Sequence, residues 1–144
     1  MRLVRAVQLR FAAGMTTALI THADALLHVM PRGHPERVAR LEHVLHALEP
    51  LDLQRVSAPM AAEDDLLRLH PQSYLDLLRD ALPETGFAEL DPDTYLSPGS
   101  LDAAYRGAGA AMRAVDLVAA GEVGNAFCAM RPPGHHAETE TPMG

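Results

Sequence analysis

A chain of 144 residues is the size of one ordinary domain, long enough to bury roughly two thirds of its unfolded surface around a core of its own. With 48% apolar and 22% charged residues it has the balance of a globular domain rather than of a disordered segment. The formal charge is −7, and all 12 basic residues are arginines, scattered and with little aromatic interleaving, which argues against a nucleic-acid surface as the main function while leaving room for a cationic small substrate or a peptide. The single cysteine, Cys128, offers neither a disulfide framework nor a cysteine-rich metal site, so a reducing, cytoplasmic setting is expected. No apolar run approaches the ~20 residues of a membrane span, and no membrane partner is expected.

Residues 1–14 carry Arg2, Arg5 and Arg10 among apolar residues. Gln8 and Arg10 interrupt any apolar core, and no cleavage pattern follows, so this stretch reads as a disordered or misassigned leader to a domain over 15–144. The β-branched and apolar run 17–22 predicts a strand. After a loop holding Met30 to His34, Pro35 suits the first position of a helix. Val38, Leu41, Leu45 and Leu48 continue it at helical spacing up to Pro50. Residues 55–58 form a weak second strand. Glu63, Asp64 and Asp65 suit the first turn of a short helix reaching Leu69. Pro71 starts the next helix, with Tyr74, Leu75, Leu78 and Leu82 as its apolar face.

The stretch from Pro83 to Gly99 holds Gly86, Pro92 and Pro98 and predicts a long loop of functional character. Ser100 is the expected N-cap of the longest helix, 101–120, closed by Gly121. The small residues between Ala103 and Ala111 imply close packing there. Residues 125–130 then read as a buried strand of a parallel sheet. Strands alternating with helices predict an α/β fold.

Ligands in open α/β sheets bind beyond the carboxyl ends of strands. The run Arg131-Pro132-Pro133-Gly134-His135-His136 follows the last strand. Neighbouring side chains on a strand point to opposite faces, so two adjacent histidines serve one cavity only on irregular backbone, which Pro132, Pro133 and Gly134 supply. Adjacent imidazoles suit proton transfer near neutral pH, and Glu138 and Glu140 are near enough in sequence to raise their basicity. The plain alternative is two exposed loop histidines. Ligation of one metal by both is disfavoured by the geometry of vicinal residues.

The segment from Asn125 to Glu138, followed by Pro142-Met143-Gly144, resembles the histone deacetylase family, in particular its class II-like and bacterial amidohydrolase members of the acetoin-utilisation and acetylpolyamine deacetylase types. Three further segments resemble it in order: Gly33-His34-Pro35-Glu36-Arg37 with Arg40-Leu41, Leu69-His70-Pro71-Gln72-Ser73-Tyr74-Leu75, and Asp91 to Ser100. Together they cover 15–144. The resemblance implies the N-terminal part of an arginase–deacetylase type three-layer α/β fold with a mainly parallel sheet, incomplete in this chain. It implies zinc-dependent hydrolysis of an N-acetyl-lysine side chain or an acetylated polyamine. His136 is then the general base and later the acid, and His135 tunes charge and orientation. Asp93 binds substrate at the rim, Arg40 lies near the channel by which acetate leaves, and Gly144 lines the acyl pocket. His34 organises its loop. His22, His28, His43, His46 and His70 are structural or solvent-facing, Tyr74 and Tyr95 are packing or loop residues, and Cys128 is an inert thiol.

Val38 stands where many members carry proline. More important, the resemblance places the zinc ligands and a carbonyl-binding tyrosine beyond residue 144, with no metal ligand within this chain. On that basis the 144 residues alone are expected neither to hydrolyse acetyl-lysine nor to hold zinc tightly, and to leave an apolar sheet edge exposed. The rival is a non-catalytic fragment or pseudogene product acting, if at all, through a partner chain. An unrelated α/β binding domain fits the ordered matches poorly.

Overall fold

A computed structural model of the chain describes residues 16–143; the expected leader and Gly144 lie outside the described residues. Strand β1 (Thr17–Thr21) has three consecutive residues, Ala18, Leu19 and Ile20, with no exposure at all. A run apolar on both faces suits a strand covered on both sides. A 3-10 turn at Ala23–Leu26 follows, capped by His22, whose Nδ1 accepts from the Asp24 N–H at 3.1 Å. Helix α1 (Val38–Leu48) begins three residues after Pro35 rather than at it. The reason is local: the Glu36 N–H donates to His34 Nδ1, which folds residues 34–36 into a turn, and Arg37 then caps in extended backbone.

Strand β2 (Gln54–Ser57) leads to a short helix α2 (Glu63–Leu66), which stops before Leu69, and then to α3 (Gln72–Asp80), which stops before Leu82. The expected long loop 83–99 contains an antiparallel hairpin, β3 (Ala88–Asp91) and β4 (Thr94–Leu96). Its turn is Pro92-Asp93, stabilised by the Asp93 N–H donating to Asp91 Oδ1 at 2.8 Å. Helix α4 (Ser100–Ala119) is capped by Gly99, not Ser100. Gly121 follows it with φ of 72°, the left-handed conformation a helix end favours in glycine. Strand β5 (Asn125–Cys128) closes the described chain's regular structure.

The strand order is β2-β1-β5, all parallel, with Ala18 opposite Gln54 on one side and Ala126 on the other. Alternation along β1 assigns its faces. Ala18 and Ile20 pack with Ala110 and Leu117 of α4 and with Val123, while Leu19 packs with Leu41 of α1, Ala25 and Ala129. The result is an α/β/α sandwich of three layers, the α/β class that the alternating pattern predicts. Strand β5 is less buried than expected: Phe127 is 50% exposed, because among the described residues β5 has a neighbour on one edge only. No helix among the described residues is long and apolar enough to cross a membrane.

Candidate active site

Two bonds at the sheet's carboxyl edge fix where the chain goes after β5. The Ala129 N–H donates to the Ile20 carbonyl at 2.8 Å, and Thr21 Oγ1 donates to the Ala129 carbonyl at 2.9 Å. The run 131–136 therefore starts at the ends of β1 and β5, where α/β sheets place ligands. Gly134 turns the chain with φ of 59°, and the Ala137 N–H closes the turn on the Gly134 carbonyl at 3.1 Å. Beyond the turn, His135 and His136 are both exposed, and their rings lie against each other with centroids 4.1 Å apart and planes 47° apart. The irregular backbone does bring two vicinal imidazoles together. Among the described residues neither forms an ion pair with Glu138 or Glu140. The segment behind them is tied back by a contact of 2.8 Å between His70 Nδ1 and the Thr139 carbonyl, with the His70 ring stacked on buried Tyr74.

The run opens with Arg131, whose side chain is 5% exposed. Its Nε and Nη2 donate to the two carboxylate oxygens of Glu36 at 2.5 Å each, and its Nη1 donates to the carbonyls of Ala25 at 3.1 Å and His28 at 2.8 Å. A charge so deeply placed is tolerated only when paired and hydrogen-bonded. Burial alone raises the Glu36 pKa, but the hydrogen bonds and charge of Arg131, with smaller effects from His28 and Arg40, outweigh it and hold the carboxyl below its ordinary value. His28 is buried beside them, with Nε2 3.8 Å from Glu36 Oε2 and Nδ1 2.7 Å from Ser100 Oγ. Burial, and then the charge of Arg131, push its pKa down to about 4. Ser100 Oγ also accepts from the Ser97 N–H at 2.7 Å, so its hydroxyl serves this interior network instead of the helix end.

Two cavities flank the Arg131–Glu36 pair. The first is lined mainly by apolar groups of α3, α4, the hairpin and the histidine loop, including Tyr74, Leu101, Tyr95 and Pro132. Asp93, His135 and His136 do not line it, but their chain neighbours Thr94 and Gly134 do, so the hairpin and the histidine run face one space. Asp93 itself is exposed at the hairpin turn. Arg40 lines the second cavity with Leu41, Phe127, Met130 and Pro133. Glu36 lines both. Gly144 lies outside the described residues. His34 does organise its loop: its Nδ1 binds the Glu36 backbone and its ring meets the edge of Tyr95. Cys128 is partly buried, its Sγ donating to the Ala110 carbonyl at 3.4 Å, and burial pushes its thiol pKa up, away from a reactive thiolate.

Among the described residues no three of His, Cys, Asp and Glu converge where a metal ion could be held. Sequence reasoning missed the pairing of Arg131 with Glu36, whereas His28, read as structural or solvent-facing, is a buried structural residue. The signal of the pair was present only weakly, as an arginine ending an apolar strand and an acid after a proline.

Residues 34–144 match the histone deacetylase domain model. The chain is 42% identical over 111 residues to a histone deacetylase-like amidohydrolase of Pseudomonas aeruginosa, covering 76% of this chain and 29% of that protein. It is 34% identical over 130 residues to a probable deacetylase of Archaeoglobus fulgidus (86% and 36% covered) and 34% identical over 138 residues to the polyamine deacetylase HDAC10 of Homo sapiens (86% and 20%). The solved HDA15 HD domain superposes with a TM-score of 0.82 at 27% identity, covering 90% of this chain and 39% of that one. The chain thus spans less than two fifths of the length of each of these relatives.

Proposed function

Since this chain belongs to the histone deacetylase family, we propose that it carries the proton-transfer part of a site hydrolysing N-acetylated amines. The observation that supports this reading is the pair of exposed, touching imidazoles, His135 and His136, at the carboxyl end of a parallel strand. Hydrolysis of an acetamide adds water across the C–N bond and releases acetate and an amine. One group must take a proton from the attacking water, and one must give a proton to the departing nitrogen. His136 performs both in turn. His135, in contact with it, sets the local charge and holds the ring. Asp93, on the exposed hairpin turn, accepts hydrogen bonds from the substrate. Arg40 supplies a fixed positive charge at the second cavity for the acetate product. Gly144 keeps its sequence-based assignment to the acyl pocket.

Membership implies zinc. The described residues do not by themselves compose a zinc site, so the steps assigned here are proton transfers on this chain's own imidazoles. The substrate class is an acetyl-lysine side chain or an acetylated polyamine, and the charge of −7 favours the cationic polyamine.

The test is a chimera in which this chain replaces the matched part of the Pseudomonas relative, assayed with zinc on an acetyl-lysine peptide and on acetylspermidine beside the 144-residue chain alone. His136→Ala should lower kcat of the chimera about 10²–10⁴-fold. An unchanged kcat removes His136 from the chemistry, and a chimera that folds but never turns over supports the non-catalytic rival.

A further inference from the structure

We propose that Glu36 and Arg131 form a positioning pair, whose two-point contact fixes the Pro132-Pro133-Gly134 arm and thereby the orientation of His135 and His136. This rests on the reading of those histidines as the proton-transfer pair. All three nitrogens of the Arg131 guanidinium are engaged: two on the Glu36 carboxylate, the third on the carbonyls of Ala25 and His28. A fork held at both tines and at its third corner cannot turn about its own axis. Its partners come from two separate stretches, residues 25–28 in and just after the 3-10 turn and Glu36 two residues before α1, so Arg131 is referenced to both.

The link from Arg131 to His135 is short and stiff. Three residues separate them, and two are prolines with φ locked near −65°. The third, Gly134, sits in a turn closed by the Ala137 N–H. Little rotational freedom is left between the buried guanidinium and the exposed rings.

Stability alone is a weak reason for such a pair. Two apolar side chains of similar volume commonly serve a core as well as a buried ion pair, or better. Direction is what the pair adds, because a bidentate contact constrains angle as well as distance. Glu36 is also well mounted: its backbone N–H is bound by His34, and α1 begins two residues later.

The experiment reads the histidines and not turnover, so it stands whether or not the proton-transfer reading survives. The probe is the imidazole spectrum of the 144-residue chain, labelled on histidine and read by NMR at a single pH, with the ring-to-ring contact of His135 and His136, whose centroids lie 4.1 Å apart, as the orientation signal. His46, 83% exposed on the last turn of α1, is the internal control. Glu36→Gln should leave the amide spectrum of β1, β5 and α4 in place while the ring signals of His135 and His136 shift and the close contact between the two rings is lost. Arg131→Lys keeps the charge, loses the fork, and should do the same. His46 should not move in either. A folded variant in which the chain loses stability but the His135 and His136 ring signals and their mutual contact stay as before overturns the proposal and leaves the pair as a fold anchor. If neither variant folds, hydrogen exchange in the unaltered chain decides. The Arg131 Nε–H and the Ala137 amide should be protected together, and a protected Nε–H beside a freely exchanging Ala137 overturns it.

Discussion

His28 lies 4% exposed beside a charged pair, and its own charge state follows from that position. With its pKa at about 4 instead of 6.5, it is neutral in the folded chain at pH 5 and protonated in the unfolded one. The unfolded state then binds more protons, so stability falls as pH drops from 6.5 toward 4, by roughly 3 kcal/mol at full titration. Glu36 acts lower down. Its folded pKa lies below the ordinary 4.5, so its contribution is complete above that value and is lost as pH falls through the folded one. Urea unfolding between pH 4 and 8 should show a decline starting near pH 6.5, and His28→Gln should flatten that upper part of the curve. Arg131→Met should cost about 3–5 kcal/mol, because it leaves the largely enclosed Glu36 carboxylate without its partner. The double change with Glu36→Leu should recover part of that loss, measured by the same unfolding, while the histidine orientation stays lost.

Helix α4 shows how small residues make room for a neighbour. A Cβ at Gly109 would lie 2.0 Å from the Pro59 carbonyl oxygen, whereas one at Gly107 would meet nothing within 4 Å. The loop after β2 is held against the helix here, by the Ala61 N–H on the Tyr105 carbonyl and by Arg106 Nη1 on the Ala58 carbonyl. Gly109→Ala should therefore lower the melting temperature measurably, while Gly107→Ala should raise it or leave it, worth up to about 1 kcal/mol of helix propensity. The sequence reads this helix to within a residue at each end and implies its close packing, because a 20-residue amphipathic element carries its own periodicity. It does not read the hairpin. Strands of four and three residues are too short for alternation to stand out, and Pro92 looks like a break until Asp91 is seen accepting from the Asp93 N–H.

Across the whole molecule, the site features gather at the carboxyl ends of β1 and β5, with the hairpin and α1 on either side of the Arg131–Glu36 pair. A cationic ligand approaching a chain of charge −7 is drawn by a screened field, so affinity for acetylspermidine, followed by NMR titration, should fall as salt is raised from 0.01 to 0.15 M, where the Debye length shrinks from ~30 to ~8 Å. An acetyl-lysine peptide of zero net charge should show little dependence. At the sheet's edge β5 presents half-exposed Phe127, and Phe127→Ser should reduce concentration-dependent aggregation seen by light scattering.

The α/β class, the main helices, the irregular backbone under two adjacent histidines and the family are legible in the residues alone, because these rest on local periodicity, proline and glycine stereochemistry and contiguous motifs. Long-range packing alone reveals that Arg131 turns inward to Glu36, that Ser100 serves His28 instead of capping its helix, and that Asp93 rides on a hairpin. Glu36 and Arg131 are 95 positions apart, and nothing local in either stretch specifies the other. Their pairing exists because parallel strands β1 and β5 bring the two loops to one edge, where a buried charge must find its partner.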